Sequence, residues 1–384
     1  MAGMTHFDFD PCSDRIRTAR QRLAAAYARQ AGATVPIVDS GGAPYRFSPK
    51  ERFDDDEKML AYAVGWANAM ASTDSDWPPF LDAFCTIPMV PEAFGSELRF
   101  RESDIGVRPV IGDINHVWSL KPKRIAETST IRRMFDWVDF AQRRLGTDVP
   151  IWTADIQSPF SVAAQIVSPV ELLESCVTNP RAVHHLCRMV TDFTLDMMRK
   201  HIAQIENPCF PGRNFPSISE NIGVCIADDT PLVMLGPDMY REFAFPYNAE
   251  IGRAFGGVHI HSCGDYRHNL DNLLALPNIR SIQVHAGAGE FPLPKTHLED
   301  AAFNRARQQI AYLVDANDVT RGDEYRRLPR KHYAEYVLPR LKQGNLTGCI
   351  LQSCGPSPDE PDAQSAVEWT RQQAEAKFPR NTGC

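Results

Sequence analysis

The segment HIHSCGD, residues 259–265, holds the side chains best suited to chemistry. In an extended strand, side chains at i and i+2 share a face, so His261 and Cys263 point the same way where an apolar run ends. An imidazole and a thiolate so placed suit zinc, which takes nitrogen at about 2.0–2.1 Å and sulfur near 2.3 Å. Gly264 lets the chain turn beside an ion without a side chain in the way. A third donor is offered by Cys354 in ILQSCGP, three strand–helix units later and again followed by glycine. His261, Cys263 and Cys354 with one open position make the pattern of a catalytic zinc, since structural sites are closed by four protein ligands. His-x-Cys is a short signal, however, and buried free cysteines are commonly inert, so spacing alone leaves a core role open. His259 has the parity of His261 and is expected one layer deeper, as a satisfied core histidine. His285 ends the next apolar run, where it could orient a ligand or donate to substrate. His184, His185 and Cys187 fall in a helical pattern and are expected to be structural.

The elements that must bring these residues together can be read from the alternation of short apolar runs with longer amphipathic stretches. Apolar runs cover 150–156, 222–229, 257–263, 279–286, 310–316 and 348–354, and the region 35–120 can supply two more. Helical patterns fill 14–32, about 54–73, 169–205, 237–254, 267–276, 297–308, 322–343 and 361–378. Parallel strands need long return paths, so this alternation predicts a parallel sheet covered by helices on both faces. Eight such strands point to an α/β fold, a (β/α)8 TIM barrel, with a doubly wound open sheet as competitor. The strand ends favour the barrel: Asp155, Asp228, Asp229, His261, Cys263, His285, Asp315 and Cys354 all fall there, and barrel enzymes build their sites at that end. The expected organisation is one structural domain, with a helical extension over 1–75 packed on a barrel over 76–384.

Composition narrows the partners. Of 384 residues, 43% are apolar and 23% charged, which is globular usage. A formal charge of −7 argues against nucleic acid and anionic membranes. No run reaches the roughly 18 apolar residues of a membrane span. The N-terminus carries acids early and no apolar signal core, so a cytoplasmic, reducing setting is expected, and the ten cysteines are read as thiols.

Three stretches resemble the uroporphyrinogen decarboxylase superfamily of (β/α)8 barrels, particularly its zinc-dependent cobamide methyltransferase branch. They are residues 226–265, which contain IADDTPLVMLGPDMYREF and HIHSCGD, the lead-in 155–187, and LQSCGP at 351–356. In that branch His-x-Cys-Gly and a late Cys-Gly bind zinc, which the resemblance carries onto His261, Cys263 and Cys354. It also implies methyl transfer between a corrinoid protein and a thiol, an acidic pair near the pocket (here Asp228 and Asp229), and pairing as a homodimer. The decarboxylase branch carries Arg-Gln-Ala-Gly-Arg-Tyr near its start. This chain has Arg29-Gln30-Ala31-Gly32 followed by Ala33-Thr34. The second arginine and the tyrosine are missing, and the tetrapeptide reads as the end of a helix.

The expected chemistry is zinc-assisted activation of a substrate thiol toward a methyl group. Asp228, Asp229 and His285 would carry catalytic roles, and Asp155, Glu290 and Asp315 would bind substrate. Rival readings are a decarboxylase, a zinc-assisted hydrolase or demethylase using Asp229, Glu290 or His285 as base, and a non-catalytic scaffold.

Overall fold

The computed structural model describes residues 6–39, 47–83, 87–102, 104–154, 156–286, 298, 300–315, 317–318, 326–342, 346–354 and 362–378. Asp155 and Glu290 lie outside the described residues. The expected apolar runs form strands at Ile151–Trp152, Ile156–Gln157, Val224–Ala227, Val258–His261, Ile279–His285, Ala311–Asp315 and Cys349–Gln352, and the region before them gives Ile37–Val38. Among the described residues a seven-stranded parallel sheet runs from Ile37–Val38 through Cys349–Gln352, Ala311–Asp315, Ile279–His285, Val258–His261 and Val224–Ala227 to Ile156–Gln157.

Backbone hydrogen bonds close this sheet on itself. The Asp76 N–H donates to Ile37 O (2.7 Å), the Leu81 N–H to Pro150 O (2.7 Å) and the Trp152 N–H to Leu81 O (2.9 Å). The segment 76–81 is therefore the missing eighth arm, and the fold is a (β/α)8 barrel. The first barrel strand lies inside the stretch expected as an extension. Residues 1–75 thus contribute to the barrel itself rather than only leaning on it.

Period-two alternation sorts the strand side chains into two clusters. Ile37, Ile226, Val258, Ile260, Ile282, Val284, Tyr312, Val314 and Leu351 pack outward with the helices. Val38, Trp152, Cys225, Leu313 and Ile350 pack inward, together with Leu23 and Ala26 of the helix Asp14–Tyr27. That helix therefore covers the end of the barrel where strands begin. Arg29, just after it, donates from Nη1 to Arg307 O (3.2 Å) and Ile310 O (2.9 Å), ahead of the Ala311–Asp315 strand. The Arg29–Gly32 tetrapeptide is indeed a helix end, and it sits opposite the end that collects the polar residues. Buried Asp76 holds the closure together, accepting from the Ile37 N–H (2.9 Å), Arg22 (2.9 Å) and Arg371 (3.1 Å).

Two helices expected as continuous are broken by proline, which lacks an N–H and clashes with the preceding turn. The pattern over 169–205 splits into Pro169–Thr178 and Pro180–Gln204, and that over 237–254 into Pro237–Phe243 and Phe245–Phe255 with Pro246 in its first turn. The second break matters to the site, because both halves carry a side chain that reaches one strand end.

His201, buried in the Pro180–Gln204 helix, is held neutral: burial lowers its pKa from 6.5 to about 4. The unfolded chain therefore binds more protons between those values, and stability must fall as pH drops from about 6.5 toward 4. Between pH 7 and pH 5 this one group should cost roughly 2 kcal/mol. The difference in urea unfolding midpoint between those pH values should shrink in His201→Leu; an unchanged difference would show that His201 is protonated without penalty.

Candidate metal centre

Strand register decides which polar groups meet. Val258–His261 lies between Val224–Ala227 and Ile279–His285, with Ala227 beside His261 and His259 beside Ser281. Ile279–His285 in turn pairs with Ala311–Asp315, placing His285 beside Asp315. The inward positions of these strands carry polar side chains from the barrel floor to its mouth.

At the floor, His259 is fully buried, donating from Nε2 to Ile222 O (3.0 Å) and accepting at Nδ1 from the Ser281 hydroxyl (2.7 Å). Burial depresses its pKa to about 3. It is a satisfied core histidine, flanked by the rings of Tyr27 and Phe215.

One layer up, His261 Nδ1 bonds Gln283 Oε1, and Nε2 faces Cys263 Sγ at 3.3 Å. The Cys263 N–H donates to Asp229 Oδ1 (2.6 Å), which draws the turn after the strand against the first residue of the helix Asp229–Met234. Gly264 completes that turn; a Cβ there would run into Val233 of the same helix. One ligand atom each from Asp229, His261 and Cys263 lies within 4.8 Å of the others. Two donors on one tetrahedral zinc stand about 3.5 Å apart, and carboxylate, imidazole and thiolate all bind that ion. The residues fit a zinc ion.

Cys354, expected as the third ligand, is not in this group. Its strand lies three places round the barrel from Val258–His261, and Cys354 packs with the outward-facing cluster. The Cys354 N–H donates to Thr370 Oγ1 (3.2 Å), and its sulfur lies 3.5 Å from that hydroxyl, buried in the helical shell. Asp229, expected as a catalytic residue, is the third member of the group.

The acidic pair is divided by the pleat. Asp229 turns toward His261 and Cys263, whereas Asp228 turns outward and is fully buried. Its Oδ2 accepts from the Tyr240 hydroxyl (2.6 Å) and from Asn248 Nδ2 (2.9 Å), one from each half of the proline-broken helix. Burial outweighs these hydrogen bonds and pushes the Asp228 carboxyl up to about 7. Asp228 thus anchors the outer helices, behind the pocket.

His285 and Asp315 lie behind the candidate ligands. The Asp315 carboxylate accepts from Gln283 Nε2 and stands 3.4 Å from His285 Nδ1, while His285 Nε2–H donates to Ser262 O (2.7 Å). Burial disfavours a charge on His285, but Asp315, the Ser262 carbonyl and Asp229 together outweigh it, so His285 titrates above the ordinary imidazole range. Asp315, expected to bind substrate, is 4% exposed and engaged within the barrel. Gln283 did not stand out in the sequence. Its signal was parity alone: in SIQVH it falls two residues before His285, on the same inward face. His184, His185 and Cys187 lie in the helical shell as expected, His184 bonding the Tyr247 hydroxyl (2.9 Å) and His185 stacking on Trp118.

Residues 81–207 match the uroporphyrinogen decarboxylase (URO-D) family. The match covers about a third of the chain and lies within the barrel. The matched URO-D segment runs from the second barrel arm through the helix Pro180–Gln204 and stops before Asp229, His261 and Cys263. Among solved structures, a methyltransferase from Methanosarcina mazei is similar over 94% of this chain and 98% of that one, with a TM-score of 0.60 and 15% identity. At that identity the likeness bears on the barrel fold alone. No curated protein matches the sequence. Among the described residues no helix is long and apolar enough to cross a membrane.

The split of the acidic pair gives a contrast. Asp228→Asn keeps an acceptor for Tyr240 and should leave Co2+ affinity near that of the parent protein. Asp229→Asn should weaken it at least about tenfold. Equal losses in the two variants, measured by metal titration, would mean that both carboxylates face the ion.

Proposed function

We propose that this barrel is a zinc-dependent methyltransferase of the uroporphyrinogen decarboxylase superfamily that moves a methyl group between a corrinoid, or another methyl donor, and a small-molecule thiol. The observation that carries the reading is the convergence of Asp229, His261 and Cys263 at the C-terminal mouth of a barrel of this superfamily. That end is where barrel enzymes hold their reacting groups.

His261 and Cys263 would hold the ion through Nε2 and Sγ, and Asp229 through the carboxylate. One thiolate and one carboxylate balance the charge of Zn2+, as two thiolates would, so exchanging Cys354 for Asp229 keeps the site formally neutral. When bound, zinc supplies the chemistry that keeps a substrate thiol deprotonated at neutral pH, where a free thiol with pKa near 8.5 is mostly protonated. The chain's own part is to orient and to shield. The Cys263 N–H on Asp229 Oδ1 restrains that carboxylate, and Cys263 itself is exposed, so an incoming thiol has access on its side. The methyl donor would arrive at the same mouth, free or carried by a corrinoid protein.

Protein purified without added metal is expected to hold about one equivalent of zinc. The Co2+-substituted form should show sulfur-to-metal absorption that strengthens when one member of a panel of low-molecular-weight thiols is added, and that thiol should accept methyl from methylcobalamin. Loss of metal in Cys263→Ala with retention in Cys354→Ala would support Asp229 as the third donor; loss in both variants would restore Cys354. A spectrum that no thiol changes would favour water as the fourth ligand and a hydrolytic reaction.

A further inference from the structure

The ligand segment is tied into a ring of polar contacts. His261 Nδ1 meets Gln283 Oε1; Gln283 Nε2 donates to Asp315; Asp315 stands 3.4 Å from His285 Nδ1; and His285 Nε2 donates to Ser262 O at 2.7 Å. Ser262 is the residue between the two candidate ligands, so the ring begins and ends on the segment it supports. All of its supporting members are buried: Gln283 is 6% exposed, Asp315 4% and His285 1%.

We infer that Gln283 and Asp315 are positioning residues that fix the tautomer of His261, leaving its Nε2 unprotonated and aimed at the metal. The argument is one of donors and acceptors. A carboxylate only accepts, so Asp315 compels Gln283 to turn its NH2 toward it. The amide oxygen then faces His261, whose Nδ1 must carry the proton to complete the bond, and the lone pair is left on Nε2, 3.3 Å from Cys263 Sγ. Were the amide reversed, its NH2 would face Nδ1, the proton would move to Nε2, and that nitrogen could no longer bind an ion. His259 supplies the contrast within the same strand. Its Nε2 faces a carbonyl and its Nδ1 a hydroxyl, so it takes the opposite tautomer with no amide involved. Partners of this kind on a ligating histidine are commonly worth 10–100-fold in metal affinity.

The inference rests on the metal reading for its consequence, but the tautomer can be read in the metal-free protein. Nitrogen-15 NMR of the imidazoles at about pH 8 should show His261 protonated on Nδ1 and His259 on Nε2, with His261 assigned by loss of its signals in His261→Gln. Asp315→Asn can either accept from or donate to Gln283, so it should give His261 as a mixture of tautomers and a several-fold loss of Co2+ affinity. Gln283→Leu should lose about 10–100-fold. Gln283→Glu separates positioning from packing. It sets a second buried carboxylate beside Asp315 and should unfold more easily than Gln283→Leu, yet it keeps an acceptor on Nδ1 and should retain more metal affinity. His261 protonated on Nε2 in the parent protein, or Gln283→Leu binding Co2+ as tightly as the parent, would overturn the inference. A parent protein that binds neither Zn2+ nor Co2+ would instead remove the metal reading, and the spectrum alone would then judge the tautomer.

Discussion

A polar side chain inside a barrel is tolerated only if its hydrogen bonds are made there, and that constraint organises this molecule. The inward faces of three neighbouring strands carry His259, His261, Ser281, Gln283, His285 and Asp315, which partner one another or nearby backbone carbonyls. The consequence is rigidity beneath the mouth. His261 is held from behind by an amide, and the backbone after it by an imidazole, so the turn carrying Cys263 starts from a fixed base. Cys263 itself extends into the open, where its backbone is steadied by Asp229 rather than by packing.

The choice between Asp229 and Cys354 follows from adjacency. Ala227 lies beside His261 in register, so a residue two positions beyond it needs only a short turn to reach the same place. Cys354 starts three strands away, and its segment is drawn outward by Ser353 bonding back to Val38 and Asp39 and by Thr370 on the last helix. The two arrangements have the same formal charge but different donors. Oxygen in place of sulfur would make a bound ion a stronger Lewis acid and would give less electron density to a bound thiolate.

Much of the architecture was legible in the order of apolar runs and helical patterns, because a parallel barrel is a repetitive object whose strands are buried on both sides. The strand-end rule also pointed to the strand end where Asp229, His261 and Cys263 meet, and parity placed His259 in the floor. What the sequence concealed were matters of direction. Asp228 and Asp229 are neighbours of the same type, and only the pleat, with Tyr240 and Asn248 waiting outside, separates an anchor from a candidate ligand. Cys354 stands at a strand end like the others, but where its sulfur points is set by contacts from Ala366 and Thr370 on the last helix. Gln283 is chemically unobtrusive and becomes informative only when His261 and Asp315 are seen on either side of it. The eighth arm could be placed only somewhere within 35–120, because it enters the barrel through a few backbone bonds at Asp76 and Leu81 rather than through a strand long enough to leave a pattern.

The helix Asp14–Tyr27, with Leu23 and Ala26 set against the interior cluster, stops the barrel at the end where its strands begin. Cys263 is exposed at the opposite end, where the strands finish. If the proposed methyl transfer is the reaction, its two reactants would have to take turns there or lie side by side, so the shape of the rim, and not only the chemistry at the bottom, would govern the order in which molecules are exchanged.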